Sequence, residues 1–257
     1  MRNYCAFLQK EWMEFFRNKR FLGLAAVFLM FAFSSPILAR FMLEFLAMLV
    51  PGEEMFQMLL PEPAWTDSYA QFYGNIEQIG SITMILLFMG IISSEKQRGT
   101  ADLMFTKGLS RMSFVLSKFT VLAISVLITT MISVLIVFAY TFLLFDTAGN
   151  FPHVLLGGFV FFLFLLFLLA LIILCSTFAK TNVSAALFAF LGFLGAVFIS
   201  SIPRIGTYLP GRLLAYSRMI TFGETPEGLL ICILVTLLLT AATLYLAVCL
   251  LRRQEGQ

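Results

Sequence analysis

Residues 154–178 read VLLGGFVFFLFLLFLLALIILCSTF, without one Asp, Glu, Lys, Arg or His. A bilayer core about 30 Å thick is crossed by roughly 20 residues of helix. A run of this kind has no ordinary place in a soluble domain, where about a quarter of the residues are charged. Five further apolar runs accompany it, at approximately 21–42, 78–94, 117–145, 183–202 and 228–251. Of the 257 residues 60% are apolar and only 12% charged, and no stretch between the runs is long enough to bury a core of its own. The chain therefore reads as a single all-α integral membrane domain, residues 1–257, with six transmembrane helices.

Lys and Arg concentrate on cytoplasmic flanks, so their distribution orients the spans. Thirteen of the seventeen fall on one side: Arg2, Lys10, Arg17, Lys19 and Arg20 before the first run, Lys96, Arg98, Lys107, Arg111 and Lys118 around the second loop, then Lys180, Arg252 and Arg253. The other side keeps Arg40, Arg204, Arg212 and Arg218, and its first loop carries Glu44, Glu53, Glu54, Glu62, Asp67 and Glu77. Both termini are expected in the cytoplasm and the chain in the plasma membrane, among membrane lipid. The formal charge of +3 lies in short groups beside apolar runs, as orientation signals do, which argues against nucleic acid as a partner. Cys5, Cys175, Cys232 and Cys249 lie in no external segment and form no disulfide framework. Residues 1–20 are charged throughout and lack the short apolar core of a cleaved secretory signal.

Residues 3–18 place Tyr4, Phe7, Leu8, Trp12, Phe15 and Phe16 largely on one helical face, with Lys10, Glu11, Glu14 and Arg17 elsewhere. This predicts an amphipathic elbow helix lying in the membrane interface.

The loop at 95–116, running on to Lys118, reads EKQRGTADLMFTKGLSRMSFVLSK over 95–118. Gly99 frees the backbone for a turn, Thr100 is placed to cap the next amides, and Asp102 suits a positive helix start. Lys107 and Gly108 suit the end of that helix, and Ser110 can cap a new one leading into the third span. Leu103, Met104 and Phe105 would be partly exposed on the short helix unless something covers them. Glu95, Gly99-Thr100, Leu103, Ser110-Arg111 and Lys118 resemble the E-x-x-x-G-T, S-R and K pattern of type-2 ATP-binding-cassette exporter permeases. Lys10-Glu11 and Arg17 fall where that family carries Lys-Glu and Arg in its elbow helix. About 24 residues carry the motif, while the organisation matches over the whole chain.

The resemblance implies an ABC permease subunit that dimerises with a copy or a similar chain. It also implies a cytosolic ABC ATPase that delivers force through a coupling helix. Glu95, Arg98, Gly99, Thr100, Leu103, Met104, Phe105 and Arg111 are the coupling residues it implies. The sequence has no G-x-x-x-x-G-K-[ST] phosphate-binding loop. No cofactor is therefore expected in this chain, and ATP and Mg belong to the partner.

Charged residues are missing from the centres of the predicted spans, which disfavours a dedicated proton relay. Hydroxyls remain: Ser34, Ser35, Thr129, Thr130, Ser133 and Tyr140, then Thr236, Thr240, Thr243 and Tyr245. Thr129, Ser133, Thr236, Thr240 and Thr243 are candidates for a path taken by a peptide, lipid or drug, or else for interhelical hydrogen bonds. Ala185, Ala189, Gly192 and Ala196 form a small-residue stripe in the fifth span. It suits a dimer contact or packing within one subunit equally well. Residues 203–226 are too broken by Pro and Gly to span, and resemble the short external helices that the family places before its sixth span.

Two other readings remain open at this level. An intramembrane enzyme would fit six spans, yet the sole histidine, His153, follows Pro152 in an outer loop, and Glu53-Glu54 has no paired His motif. A passive substrate-binding module would fit as well, but has no use for the Gly99-Thr100 coupling loop.

Overall fold

The computed structural model describes residues 2–17, 19–49, 62–106, 108–202 and 206–254. Arg204, Pro203, Glu53, Glu54 and Lys107 lie outside the described residues, as do the side chains of Tyr4, Cys5, Phe15, Phe16 and Asp102. The chain is helical, with no strand among the described residues. Helix α1 spans Arg2–Arg17 and α2 Arg20–Leu49. Next come α3 (Trp65–Asn75), a π-helical turn at Ile76–Gly80, and α4 (Ser81–Phe88). Two short helices follow, α5 (Ser93–Gln97) and α6 (Thr100–Thr106). The remaining elements are α7 (Arg111–Phe145), α8 (Phe151–Phe178), α9 (Asn182–Ser200), α10 (Leu213–Thr221) and α11 (Leu229–Gln254).

Among the described residues six helical runs are long and apolar enough to cross a membrane. The second differs from the sequence reading, which began it at Gln78. Helix actually starts at Trp65 and runs through the π-turn, so Asp67 and Glu77 are helical residues and not loop residues. The polar side chains that broke the apolar run each have a local task. Asp67 accepts a hydrogen bond from the Ala64 backbone N–H at 2.8 Å and closes the start of α3. Asn75 donates to Ser35 Oγ at 3.2 Å, and Glu77 pairs with Arg218. Meanwhile Tyr69, Phe72 and Tyr73 on the same helix are almost wholly buried. At the far end, α7 begins at Arg111, six residues before the predicted third span.

The uncharged run at 154–178 is the central pillar. Helix α8 packs against α7, α9, α10 and α11, which explains why it is apolar on every face. A side chain at Gly157 would bring its Cβ to 2.1 Å from Thr221 Oγ1 and 2.7 Å from the Ser217 carbonyl, so α10 lies directly on the α8 backbone there. Helices α9 and α11 turn Leu187, Leu191, Leu234 and Leu238 outward, an exposure that acyl chains tolerate.

Candidate functional site

Between α4 and α7 the chain folds into a two-helix lever. The α-helical ladder of α4 breaks after Phe88, and the freed amides of Ile92 and Ser93 both donate to Ser176 Oγ at 3.1 Å. Ser176 in turn donates to the Met89 carbonyl at 2.7 Å. Asn182 Oδ1 accepts from Ser93 Oγ (2.7 Å) and Ser94 Oγ (3.2 Å), while Lys96 Nζ reaches the Thr177 carbonyl at 2.6 Å. One hydroxyl and one amide thus bolt the root of the lever to the corner between α8 and α9.

Gly99 then turns the chain with φ +68°, a left-handed conformation that costs a side-chain-bearing residue about 1 kcal/mol or more. The Thr100 hydroxyl donates to the Glu95 carbonyl at 3.1 Å, tying α6 back to α5. Ser110 caps α7 as expected, accepting from the Ser113 N–H at 3.1 Å. Leu103 is the exposed large apolar residue among the described residues of α6, at 63%. Phe105 is half-buried against Phe114, with ring centroids 5.2 Å apart, and the Arg111 guanidinium lies over its ring at 5.6 Å from the centroid. Met104 faces a cavity beneath the lever, and Arg98 reaches that cavity's rim.

A buried ion network fixes the lever on its other flank. Lys118, whose side chain is 1% exposed, donates to Glu95 Oε1 at 2.7 Å and to Glu11 Oε2 at 2.9 Å. Lys10 adds contacts to Glu11 (3.2 Å) and Glu14 (2.9 Å). The carboxylates of Glu11, Glu14 and Glu95 come within 4.8 Å of one another, a spacing that a metal ion would also accept. Here the two ammonium groups already supply the positive charge. Burial alone would lift the Glu14 carboxyl, but the Lys10 hydrogen bond and the charges of Lys10, Lys118 and Arg20 leave it below its ordinary value. Lys10, conversely, is pulled down by burial and raised further by Glu14, Glu11 and Glu95, ending above its ordinary value. The pieces of the motif read separately in the sequence, Lys10-Glu11, Glu95 and Lys118, therefore meet at one point where α1, α5 and α7 cross.

A family model described as ABC-2 family transporter protein matches residues 5–210, a stretch that contains the elbow, the lever and five of the six spans. The chain belongs to the ABC-2 transporter family. It is a multi-pass membrane permease, the transport component of an ABC system and not its catalytic part. Among individual curated proteins none matches it.

The other candidate residues of this ABC-2 permease are dispersed. Thr129 and Ser133 on α7 are buried, and their hydroxyls have no hydrogen-bond partner among the described residues. Thr236 and Thr240 donate to the carbonyls one turn back in α11, of Cys232 and Thr236, each at 2.7 Å, and Thr243 donates to the Thr240 carbonyl at 2.8 Å. Among the described residues neither set forms an interhelical hydrogen bond. Ala185 and Ala189 are fully buried, a side chain at Gly192 would meet Leu171 of α8 at 2.8 Å, and the Ala196 carbonyl lies close to Gly211. Of the two readings left open for the stripe, packing within the subunit is the one these contacts support.

At the opposite end Arg218 on α10 pairs with Glu77 of the π-turn at 2.5 Å, beside a cavity of about 260 Å³ reaching to Ser200, Ser201 and Arg212. Tyr73 and Thr221 share a hydrogen bond of 3.1 Å nearby, and Tyr216 donates to the carbonyls of Thr207 and Glu227. Residues 206–221 are thus two 3₁₀ turns and a buried helix stitched into the bundle. Ser176 and Asn182 do not stand out in the sequence, because they sit among Thr177, Lys180 and Thr181 at a polar helix corner. The sequence reading also misses the pairing of Glu77, because it places that residue in a loop.

Proposed function

We propose that this ABC-2 permease exports its cargo by alternating access. In this reading a separate cytosolic ATPase carries ATP and Mg and docks on the exposed face of α6. Glu95, Arg98, Gly99, Thr100, Leu103, Met104, Phe105 and Arg111 form the coupling element, and both termini lie with it in the cytoplasm. The permease works in the plasma membrane as a homodimer or beside a similar chain, and its cargo is a peptide, a drug-like molecule or a lipid. Exposed apolar residues of α9, such as Leu187 and Leu191, are better placed for the subunit contact than the buried alanine stripe.

The observation that carries this reading is the Lys118 bridge to Glu11 and Glu95. A lever free to swing on its loop would dissipate a push. A lever joined by buried ion pairs to the elbow and to a 35-residue helix passes the push on to those elements as one body. Leu103, exposed at the tip, offers the apolar contact through which the push arrives. The test is affinity purification in mild detergent of tagged wild type and Leu103→Asp, co-expressed with candidate ATPase chains, with ATP hydrolysis measured on the recovered complex. Wild type should recover an active ATPase and Leu103→Asp should lose it. Equal recovery from both would remove α6 as the docking element.

A further inference from the structure

The cavity under the lever, about 610 Å³ in volume, is bounded by α1, the turn after α4, α6 and α7. Each of its three carboxylates pairs with Lys10 or Lys118, although Glu95 Oε2 is buried without a hydrogen-bond partner among the described residues. Two more cations line the same cavity, Arg20 at the start of α2 and Arg98 just after α5. Among the described residues neither guanidinium takes part in an ion pair or side-chain hydrogen bond, and Arg20 acts on Glu14 only through its charge. With four basic groups against three acidic ones, the lining holds one uncancelled positive charge. The floor beneath is apolar, formed by Ile91, Val121 and Leu122. Leu8, Trp12 and Met13 of α1 line a separate apolar groove, as suits a helix held at headgroup depth.

We infer that this cavity binds the phosphate of an anionic phospholipid headgroup, held by the forked guanidiniums of Arg20 and Arg98. A phosphodiester of charge −1 cancels the excess positive charge, and a planar guanidinium matches its oxygens with paired donors. Basic recesses between helices at the cytoplasmic face are where such headgroups are recognised. The apolar floor leaves room for the glycerol end of the lipid without burying a polar group unpaired. A bound headgroup then rests against α1, α5 and α7 at their crossing, so the lipid steadies the same lever that the proposed function uses. The inference rests on that reading for the side of the membrane, but the binding itself requires no ATPase.

The experiment uses the purified full chain, without any ATPase, in nanodiscs of phosphatidylcholine alone or with added phosphatidylglycerol. Thermal unfolding and native mass spectrometry of retained lipid are the readouts. Phosphatidylglycerol should raise the wild-type Tm and co-purify with it. In Arg20→Gln/Arg98→Gln its apparent affinity should fall about tenfold or more, since each basic group near an anionic lipid contributes roughly a factor of five. Arg252→Gln/Arg253→Gln, which removes two exposed tail charges, should keep the wild-type response. Arg20→Lys/Arg98→Lys preserves charge without the fork; it should bind more weakly than wild type, and it serves if the glutamine pair does not fold. Inorganic phosphate at matched ionic strength should leave the Tm in phosphatidylcholine unchanged. A phosphate shift equal to that of the lipid would reassign the site to a free phosphate and overturn the lipid assignment. So would a phosphatidylglycerol effect that is absent in wild type or undiminished in both arginine pairs.

Discussion

The two ends of the bundle hold their charges differently. At the lever end Lys118 is 1% exposed and ties three elements together through two carboxylates. At the opposite end Arg218 and Glu77 form one pair with side chains 34% and 22% exposed, linking α10 to a π-turn. A buried pair broken on one side leaves a desolvated charge without its counterion, whereas a partly exposed pair can return its charges to water. The lever end therefore behaves as a rigid joint and the Arg218 end as a yielding one. A π-turn adds to that contrast, because it interrupts the regular ladder of the helix within the second membrane run.

The contrast predicts an ordered series of effects. Lys118→Met leaves Glu11 and Glu95 facing each other in a buried space and should cost about 3–5 kcal/mol, read as a drop in detergent Tm. Neutralising the whole network in Glu11→Gln/Glu95→Gln/Lys118→Met should recover most of that loss, since no lone charge remains buried. A triple variant as unstable as the single one would show that the loss lies in packing of the lysine stem. Next comes Gly157→Val, whose Cβ would collide with Thr221 Oγ1 and the Ser217 carbonyl and which should cost about 1–3 kcal/mol by prising α10 from α8. Its Tm is the measurement, and second-site Thr221→Ala, which removes part of the obstruction, should return some of it. Smallest is Arg218→Ala, expected at about 1 kcal/mol or less. A loss there as large as that of Lys118→Met would erase the distinction between the two ends.

Much of this architecture was legible in the sequence because lipid imposes a simple rule: long uncharged runs must be helices across the bilayer. The elbow was legible from its aromatic face, and the lever from Gly99, Ser110 and the motif around them. Helix α3 was not, since Asp67, Asn75 and Glu77 read as loop residues while each is spent on a cap, a hydrogen bond or an ion pair. The meeting of Glu11 with Lys118 was equally hidden. They stand 107 positions apart, and only the crossing of α1 over α7 brings them together. The threonines of α11 illustrate a further limit: their spacing marks one face, but each hydroxyl is turned back on its own helix.

In the proposed function the Glu11, Lys118 and Glu95 network carries force from the lever into the spans, so recruiting an ATPase and using its work are separable. The direct measurement is ATP hydrolysis and vesicle transport by the reconstituted permease–ATPase complex, wild type against Lys118→Met, at a temperature where both remain folded. Lys118→Met should still recover the ATPase, because Leu103 is untouched, yet transport roughly tenfold less cargo per ATP hydrolysed. Unchanged transport per ATP in a folded Lys118→Met complex would mean that the network carries no force.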